Sequence, residues 1–213
     1  MDKVAKTLYR YFILILLSIP LNLFSQTSKS KEHFTYQVRE EQGDLNNDGK
    51  MDRITVKMDT VDETRPLRLQ IFLSQPNGKL ALAVSSTKII ESQYPVEKQG
   101  KFNGFQIPDF FIEEGVLKMW SEIEAGNITY HFKYRSGNFE LIKVEKLTNN
   151  ATRGYIDDKT IFTETKFDLV TGIRTETDEI LGSTTPLKVR NKRVLIRPLP
   201  KIQDFKFSDK ELF

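Results

Sequence analysis

Alternation of apolar and polar residues with a period of two is the feature that most constrains how this chain folds. The stretch RITVKMD places Ile54, Val56 and Met58 on one side of an extended segment, and LRLQIFLS repeats the pattern. Successive residues of a β-strand point to opposite faces, so this period matches strand geometry. No window of the chain sustains the apolar period of an amphipathic helix. The sequence therefore predicts an all-β protein.

Short glycine-bearing turns separate the predicted strands. Asn77-Gly78 lies between two alternating stretches and is a strong hairpin signal. Glycine-containing turns also divide the middle of the chain into four runs, and Thr171-Gly172 divides a later pair. In NFELIKVEK the apolar phase slips between Leu141 and Ile142, which predicts a β-bulge, although a strand buried on both faces would look similar. We expect one antiparallel domain over residues 34–213, a meander or sandwich-like arrangement with one Asp-rich strand–loop–strand hairpin.

The N-terminus has the plan of a secretory signal peptide. Basic residues precede an apolar run over residues 11–24, and small and polar residues follow it. A transmembrane anchor is the alternative, but the run is shorter than the roughly 20 residues a bilayer requires, and Pro20 and Asn22 interrupt it. We expect residues 1–25 to be a cleaved leader and residues 26–33 a flexible lead-in. The mature protein would be periplasmic, on the outer surface or extracellular in a Gram-negative organism.

The absence of cysteine and the small net charge of +3 exclude several classes of function. Without cysteine there is no disulfide, thiolate nucleophile, iron–sulfur cluster or cysteine-based zinc site. The leader carries three basic residues against one acidic residue, so the mature chain is close to neutral. A general nucleic-acid role is therefore not indicated. We expect a monomer that has no membrane span after leader removal and that depends on core burial, helped by a bound ion.

The run GDLNNDGKMDRITV, residues 43–56, carries the densest set of candidate metal ligands. Calcium takes roughly six to eight oxygen ligands from a loop that bends sharply around the ion. Counted from Asp44, oxygen-bearing side chains stand at positions 1, 3, 5 and 9, glycine at 6, and a backbone carbonyl is expected from 7. We expect the apolar Met51 to anchor the loop to the core. The candidate ligands are Asp44, Asn46, Asp48, Lys50 and Asp52.

This loop departs from an EF-hand but resembles another calcium loop. Position 12 is Thr55 rather than a bidentate glutamate, and both flanks alternate as strands. The run resembles the D-x-N-x-D-G-x-x-D-hydrophobic motif of FG-GAP/VCBS-type proteins, known from integrin-like propellers and from many exported bacterial proteins. The resemblance covers residues 43–56 alone, and the Phe-Gly-Gly-Ala-Pro element is absent, so it implies the loop and not a propeller.

The resemblance implies a structural calcium ion held by side chains of Asp44, Asn46, Asp48 and Asp52 and by the carbonyl of Lys50. Three carboxylates without a bidentate glutamate predict modest affinity, suited to the calcium concentrations found outside cells. The alternative is a solvated hairpin turn, since Asn, Asp and Gly are turn residues in any case.

Signals for catalysis are scarce. His131 stands on the polar face of a predicted strand, a position typical of a surface cross-strand neighbour. Four glutamates lie on adjacent predicted strands, and if they clustered they would suit a glycosidase-type carboxylate pair. Solvation of the polar face explains them better. These glutamates are Glu113, Glu114, Glu122 and Glu124.

Two features would suit a binding partner. Trp120 is opposite in phase to Leu117 and Met119, so it would either stack on a carbohydrate or pack into a second core layer. The run from Leu187 to Lys201 has six basic residues and no acidic one. It would bind an anionic glycan or an acidic partner, or it would protect an edge strand from pairing with other sheets. The candidate partner-binding residues are Trp120, Lys188, Arg190 and Arg193.

The sequence favours an exported, non-catalytic binding or scaffolding domain with one structural calcium loop and an unidentified protein or glycan partner. One alternative is a hydrolase that acts on cell-wall or extracellular polymers through paired carboxylates. Another is an inhibitor or immunity-type module that binds a second exported protein. Carboxylates facing each other in a cleft would favour the enzyme, whereas an exposed aromatic patch would favour a partner-binding module.

Overall fold

The structure is a computed structural model that describes residues 33–151, 156–183 and 185–206. The predicted leader and nearly all of the predicted lead-in lie outside the described residues. Within the described ranges, the one helical element is a short 3₁₀ helix at Val96–Lys98. No helix in this part of the chain is long and apolar enough to cross a bilayer. The prediction of an all-β fold is confirmed.

The strands form two antiparallel meanders in which hydrogen-bonded neighbours are also neighbours along the chain. The smaller sheet has four strands in the order β1-β2-β3-β4 and the larger sheet has seven, from β5 at one edge to β11 at the other. The strands are β1 Phe34–Gly43, β2 Asp52–Asp59, β3 Leu67–Ser74, β4 Leu80–Ser86, β5 Asp109–Glu113, β6 Val116–Ile123, β7 Gly126–Arg135, β8 Asn138–Asn149, β9 Ile161–Asp168, β10 Ile173–Ile180 and β11 Lys188–Arg193.

Local sequence signals explain how these strands begin, turn and bend. Gly78 closes the β3–β4 hairpin at φ 76°, a conformation that favours glycine. The register between β7 and β8 shifts by one residue. Phe132 of β7 pairs with Leu141 of β8, whereas the preceding His131 pairs with Lys143, so Ile142 is the extra residue of a bulge in β8. The bulge predicted from the phase slip is therefore confirmed. The Ile142 carbonyl accepts a hydrogen bond from the backbone N–H of Leu169 at 2.9 Å.

One hydrophobic core draws on both sheets. In the smaller sheet the inward side chains of β2 and β3 are almost completely buried, as the period-two pattern requires. The inward side chains of β6, β7 and β8 complete the same cluster. Phe205, near the C-terminus, packs edge-on against Tyr130 with ring centroids 5.0 Å apart.

The first strands of the two sheets also contact each other. Arg39 of β1 donates to Asp109 of β5 at 3.0 Å and to the Ile107 carbonyl at 3.2 Å. A Cβ added at Gly43 would lie 2.7 Å from the Ile112 side chain, so the end of β1 lies close against β5. The start of β2, and the loop that precedes it, are therefore held near the larger sheet.

Candidate metal centre in the loop between the first two strands

The Asp-rich loop joins β1 to β2 and is closed by a strand pair. Gly43 is the partner of Asp52 in the antiparallel ladder, so residues 44–51 form the connection. The frame is strand–loop–strand, as the alternating flanks predict. Two residues of the loop, Asn47 at φ 59° and Gly49 at φ 79°, adopt the left-handed conformation. These reversals bend the chain sharply enough to turn successive side chains inward.

Side-chain oxygens in the first half of the loop converge on the same backbone groups. Asp44 Oδ1 and Asn46 Oδ1 both accept from the N–H of Asp48, at 3.1 and 3.0 Å. Asp44 Oδ2 accepts from the N–H of Gly49 at 2.8 Å. Partial burial acts to raise the pKa of Asp44, but the surrounding backbone N–H groups outweigh it and lower that pKa below its usual value. Asp44 is thus held as a carboxylate.

Asp48 and Lys50 occupy the outer side of the loop. Asp48 Oδ1 accepts from the N–H of Lys50 at 2.9 Å. The Lys50 ammonium lies 3.7 Å from Asp48 Oδ2, and both side chains are partly exposed. An ion that bound Asp48 would compete with this ammonium, which is free to move away because a surface ion pair contributes little.

Asp52 anchors the loop to the smaller sheet. Its side chain is fully buried. One carboxylate oxygen accepts from the N–H of Leu45 at 2.9 Å and the other from the N–H of Ser74, at the end of β3, at 2.8 Å. The Ser74 hydroxyl in turn donates to the Met51 carbonyl. Each carboxylate oxygen keeps a second lone pair for another donor or an ion.

Leu45, and not Met51, fixes the loop to the core. Leu45 is buried at 1% exposure, whereas Met51 is 60% exposed. The prediction for Met51 is therefore wrong, and strand alternation gives the reason. Asp52 and Ile54 are both buried and stand two residues apart on the inward face of β2, so the residue just before Asp52 points outward.

The loop also touches the larger sheet. The turn between β5 and β6 contains Gly115 at φ 70°, and a Cβ at that position would lie 2.4 Å from Asn47 Oδ1. Only glycine leaves room for the Asn47 amide there. No signal in the sequence pairs these two residues, since about seventy positions separate them along the chain.

The residues present fit calcium in donor type. All of the candidate groups are oxygens, which suit a hard cation. The carboxylates of Asp44, Asp48 and Asp52 accept backbone N–H groups, and within the described ranges no cluster of three or more carboxylate, imidazole or thiol groups stands arranged for a metal. The loop is therefore bent and rich in oxygen atoms, and backbone N–H groups of the protein already donate hydrogen bonds to some of these side-chain oxygens.

The predicted partner-binding residues are spread across the larger sheet. Trp120 is half-buried on β6, on the face opposite to the core, between Asp109 and Thr129. Lys188 and Arg193 are exposed on β11. Four strands lie between β6 and β11, a separation of about 24 Å at the usual strand spacing.

Arg190 forms its side-chain hydrogen bonds within the larger sheet. It donates to Asp178 Oδ1 at 2.8 Å and to Glu176 at 3.1 Å, both on the neighbouring β10. Arg190, followed by Thr163, lowers the pKa of Asp178 from 3.8 to about 2. The charge of Arg190 is therefore balanced within the protein. Of the predicted partner-binding cations, Lys188 and Arg193 remain exposed on β11.

The four glutamates considered for hydrolysis do not assemble. Glu113 and Glu114 lie at the β5–β6 turn, whereas Glu122 and Glu124 lie at the other end of β6. About 20 Å of strand separates the nearest members of the two pairs, Glu113 and Glu122. Glu113 forms an ion pair with Lys118, and Glu122 accepts from the N–H of Gln106 at 3.3 Å.

His131 is buried, which differs from the surface position expected for it. It lies on the polar face of β7 as predicted, yet only 7% of it is exposed. Its Nε2 is 2.8 Å from Glu145 Oε2, and Glu145 also pairs with Lys143 at 2.7 Å. Burial lowers the pKa of His131 below its usual value, and the neighbouring Glu145 offsets this only in part. The long side chains of this face shield the ring, an effect that strand alternation alone does not reveal.

Comparison of the chain with protein-family models, with curated proteins and with solved structures gives no match.

Proposed function

We propose that this protein is an exported, non-catalytic β domain that holds one structural calcium ion in the loop from Asp44 to Asp52. In this proposal it serves as a binding or scaffolding protein in the periplasm or at the cell surface. The signal-peptide plan of residues 1–25 supports export.

One observation carries the calcium proposal. Asp44 and Asn46 direct oxygens at the same N–H inside a loop whose bend depends on the left-handed Gly49. An ion bound inside this bend would take the oxygens of Asp44, Asn46 and Asp48 and the Lys50 carbonyl in exchange for backbone N–H groups that these side chains now accept. Asp52, already buried at the closing pair, would contribute a free lone pair directly or through water.

The ion would stabilise the fold by joining parts that the loop already touches. It would neutralise neighbouring carboxylates and hold the β1–β2 connection against the Gly115 turn. A chain without cysteine has no disulfide to do this. Binding to the native state alone stabilises it by mass action, so the effect grows with calcium concentration.

The distance between the two glutamate pairs disfavours a hydrolase that would combine a carboxylate from Glu113 or Glu114 with one from Glu122 or Glu124. An acid–base pair for glycoside hydrolysis needs its carboxyl groups within about 10 Å of each other. The pair at the β5–β6 turn and the pair at the other end of β6 stand well beyond that distance from each other.

Calcium titration followed by thermal unfolding tests the proposal. We expect millimolar calcium to raise the melting temperature of the purified mature chain by about 2–4 °C, the shift for roughly 1 kcal/mol in a domain of this size. Asp48→Ala should abolish the shift. Asp62→Ala is the matched control, because Asp62 also caps an exposed turn, by accepting from the N–H of Thr64 at 2.8 Å.

The control should keep the full calcium shift. An unchanged melting temperature in the unsubstituted protein, or an equal shift in Asp48→Ala, would contradict the calcium proposal. Magnesium serves as the second ion, since its preference for near-ideal octahedral geometry predicts a weaker effect in a flexible loop.

A further inference from the structure

A groove of about 400 Å³ opens between the long β4–β5 connection and the ends of β6 and β8. Its volume lies in the range of roughly 300–1,000 Å³ that is usual for small-molecule sites. The groove lies at the opposite end of β6 from the Gly115 turn, about 25 Å away, so it is separate from the Asp-rich loop. Its lining residues are Glu91, Lys98, Phe105, Ile123, Glu124, Lys146 and Thr148.

Three of these side chains offer oxygen atoms that the rest of the described chain does not use. Glu91, Glu124 and Thr148 make no side-chain hydrogen bond or ion pair with residues in the described ranges. Glu91 Oε2 is shielded from solvent and has no hydrogen-bond partner there. An unpaired buried acceptor is costly, so a ligand that donates a hydrogen bond to Glu91 would recover free energy on binding.

Two lysines also line the groove, and one of them lies over an aromatic ring. Lys98 donates to the Asn103 carbonyl, and its ammonium lies 5.4 Å from the centre of the Phe105 ring. Lys146 contributes a second ammonium. Two carboxylates and two ammoniums leave the lining without net charge, which disfavours a strongly charged ligand.

We propose that this groove binds a neutral, polyhydroxylated ring, that is, a sugar residue. Its hydroxyl groups would donate to Glu91, Glu124 and Thr148 and accept from Lys98. This inference names a ligand class for the proposed binding role and rests on that role, but it does not depend on the calcium loop.

Isothermal titration calorimetry of the full mature chain with neutral sugars tests the groove. The probes are glucose, galactose, mannose and N-acetylglucosamine, each with a matching disaccharide. We expect at least one to bind. Glu91→Gln keeps the side-chain size, and Thr148→Val keeps its shape. Each should weaken binding about tenfold, the loss of one hydrogen bond to a charged group or a buried acceptor.

Glu113→Gln is the matched control, because Glu113 lies at the end of the β5–β6 hairpin that is distant from the groove. The sugar affinity of this variant should equal that of the unsubstituted protein. Glu124→Gln, at an exposed turn, serves as a groove variant that leaves the fold intact and should also weaken binding. If the disaccharide binds more tightly than its monosaccharide, the ligand is part of a glycan chain. If the two bind equally, the ligand is a free sugar.

Either of two results would overturn the inference. One is the absence of binding by every neutral sugar at millimolar concentration, and the other is equal affinity in the groove variants and the control. Binding of putrescine or glycine without any sugar would also overturn it and assign the groove to amines. Repeating the sugar titration with Asp48→Ala separates the two proposals. This variant should still bind the sugar, whether or not calcium raises the melting temperature of the unsubstituted protein.

Discussion

At the scale of single residues, Asp52 shows how one carboxylate connects three parts of the chain. It is fully buried and accepts the N–H groups of Leu45, in the loop, and Ser74, at the end of β3. Such charge-assisted hydrogen bonds inside a protein stabilise it more than neutral ones. The loop geometry around Asp44 depends on this fixed end, whether or not an ion is present.

Replacing Asp52 should therefore destabilise the protein strongly in calcium-free buffer. We expect Asp52→Ala to lower the free energy of unfolding by about 2–4 kcal/mol, because one buried and one partly buried N–H group lose their acceptor. Asp52→Asn should cost less, since one amide oxygen remains as an acceptor. Urea unfolding measures both, and a loss no greater than that of the exposed-turn variant Asp62→Ala would show that Asp52 is not the anchor.

At the scale of elements, β7 illustrates that a polar sheet face can still bury an ionisable side chain. His131 has cross-strand neighbours Lys118 on β6 and Lys143 on β8, with Glu145 bonded to its ring. Burial disfavours the imidazolium and keeps the pKa of His131 low, and Glu145 opposes this only in part. Burial acts to raise the pKa of Glu145, but Lys143 and His131 outweigh it and lower that pKa.

The position of His131 predicts a specific pH dependence of stability. Its folded pKa lies below the unfolded value of about 6.5, so the unfolded chain binds the proton more readily. The contribution of His131 to the free energy of unfolding should be fully present at a pH above the unfolded pKa. It should be lost as the pH decreases through the unfolded pKa toward the folded pKa. His131→Gln should lack this component.

Urea unfolding at about pH 7.5 and about pH 5.5 checks the prediction. The difference in stability between the two conditions should be smaller for His131→Gln than for the unsubstituted chain. Equal differences in the two proteins would mean that His131 has an ordinary pKa in the fold.

At the scale of the whole molecule, the two sheets share one hydrophobic core. Leu69 of the smaller sheet and Phe132 of the larger sheet are both completely buried within the same cluster. The Arg39–Asp109 contact joins the first strands of both sheets. Neither meander buries its apolar face without the other, so we expect a single cooperative unfolding transition.

The single tryptophan allows this to be measured. Trp120 lies in the larger sheet, so its fluorescence reports that sheet directly. Leu69→Ala, in the smaller sheet, should lower the unfolding midpoint seen by Trp120, with a loss of about 2–5 kcal/mol. Leu82→Ala is the control, because Leu82 is 53% exposed on β4. A Trp120 midpoint unchanged by Leu69→Ala would show that the sheets unfold independently.

The alternating pattern was sufficient to predict the strands, and the phase slip at Leu141 was sufficient to predict the bulge. Both depend on local geometry, which the sequence encodes directly. The sequence does not reveal which side chains longer neighbours shield, so His131 was expected at the surface. It also does not pair distant residues, so the contact of Asn47 with Gly115, and the groove that includes Glu91, depend on the three-dimensional arrangement.

The strand order has a consequence for how fast the molecule forms. In both sheets each strand is hydrogen-bonded to the strand that precedes or follows it in the chain. Loop-closure entropy rises with the length of chain between paired segments, and local pairing keeps it small. We expect the slow step of folding to be the formation of the core between the two sheets, because its contacts join residues far apart in the chain. The rate of that step depends on Ile54, Leu69 and Phe132, and changes in the Asp-rich loop should leave it nearly constant.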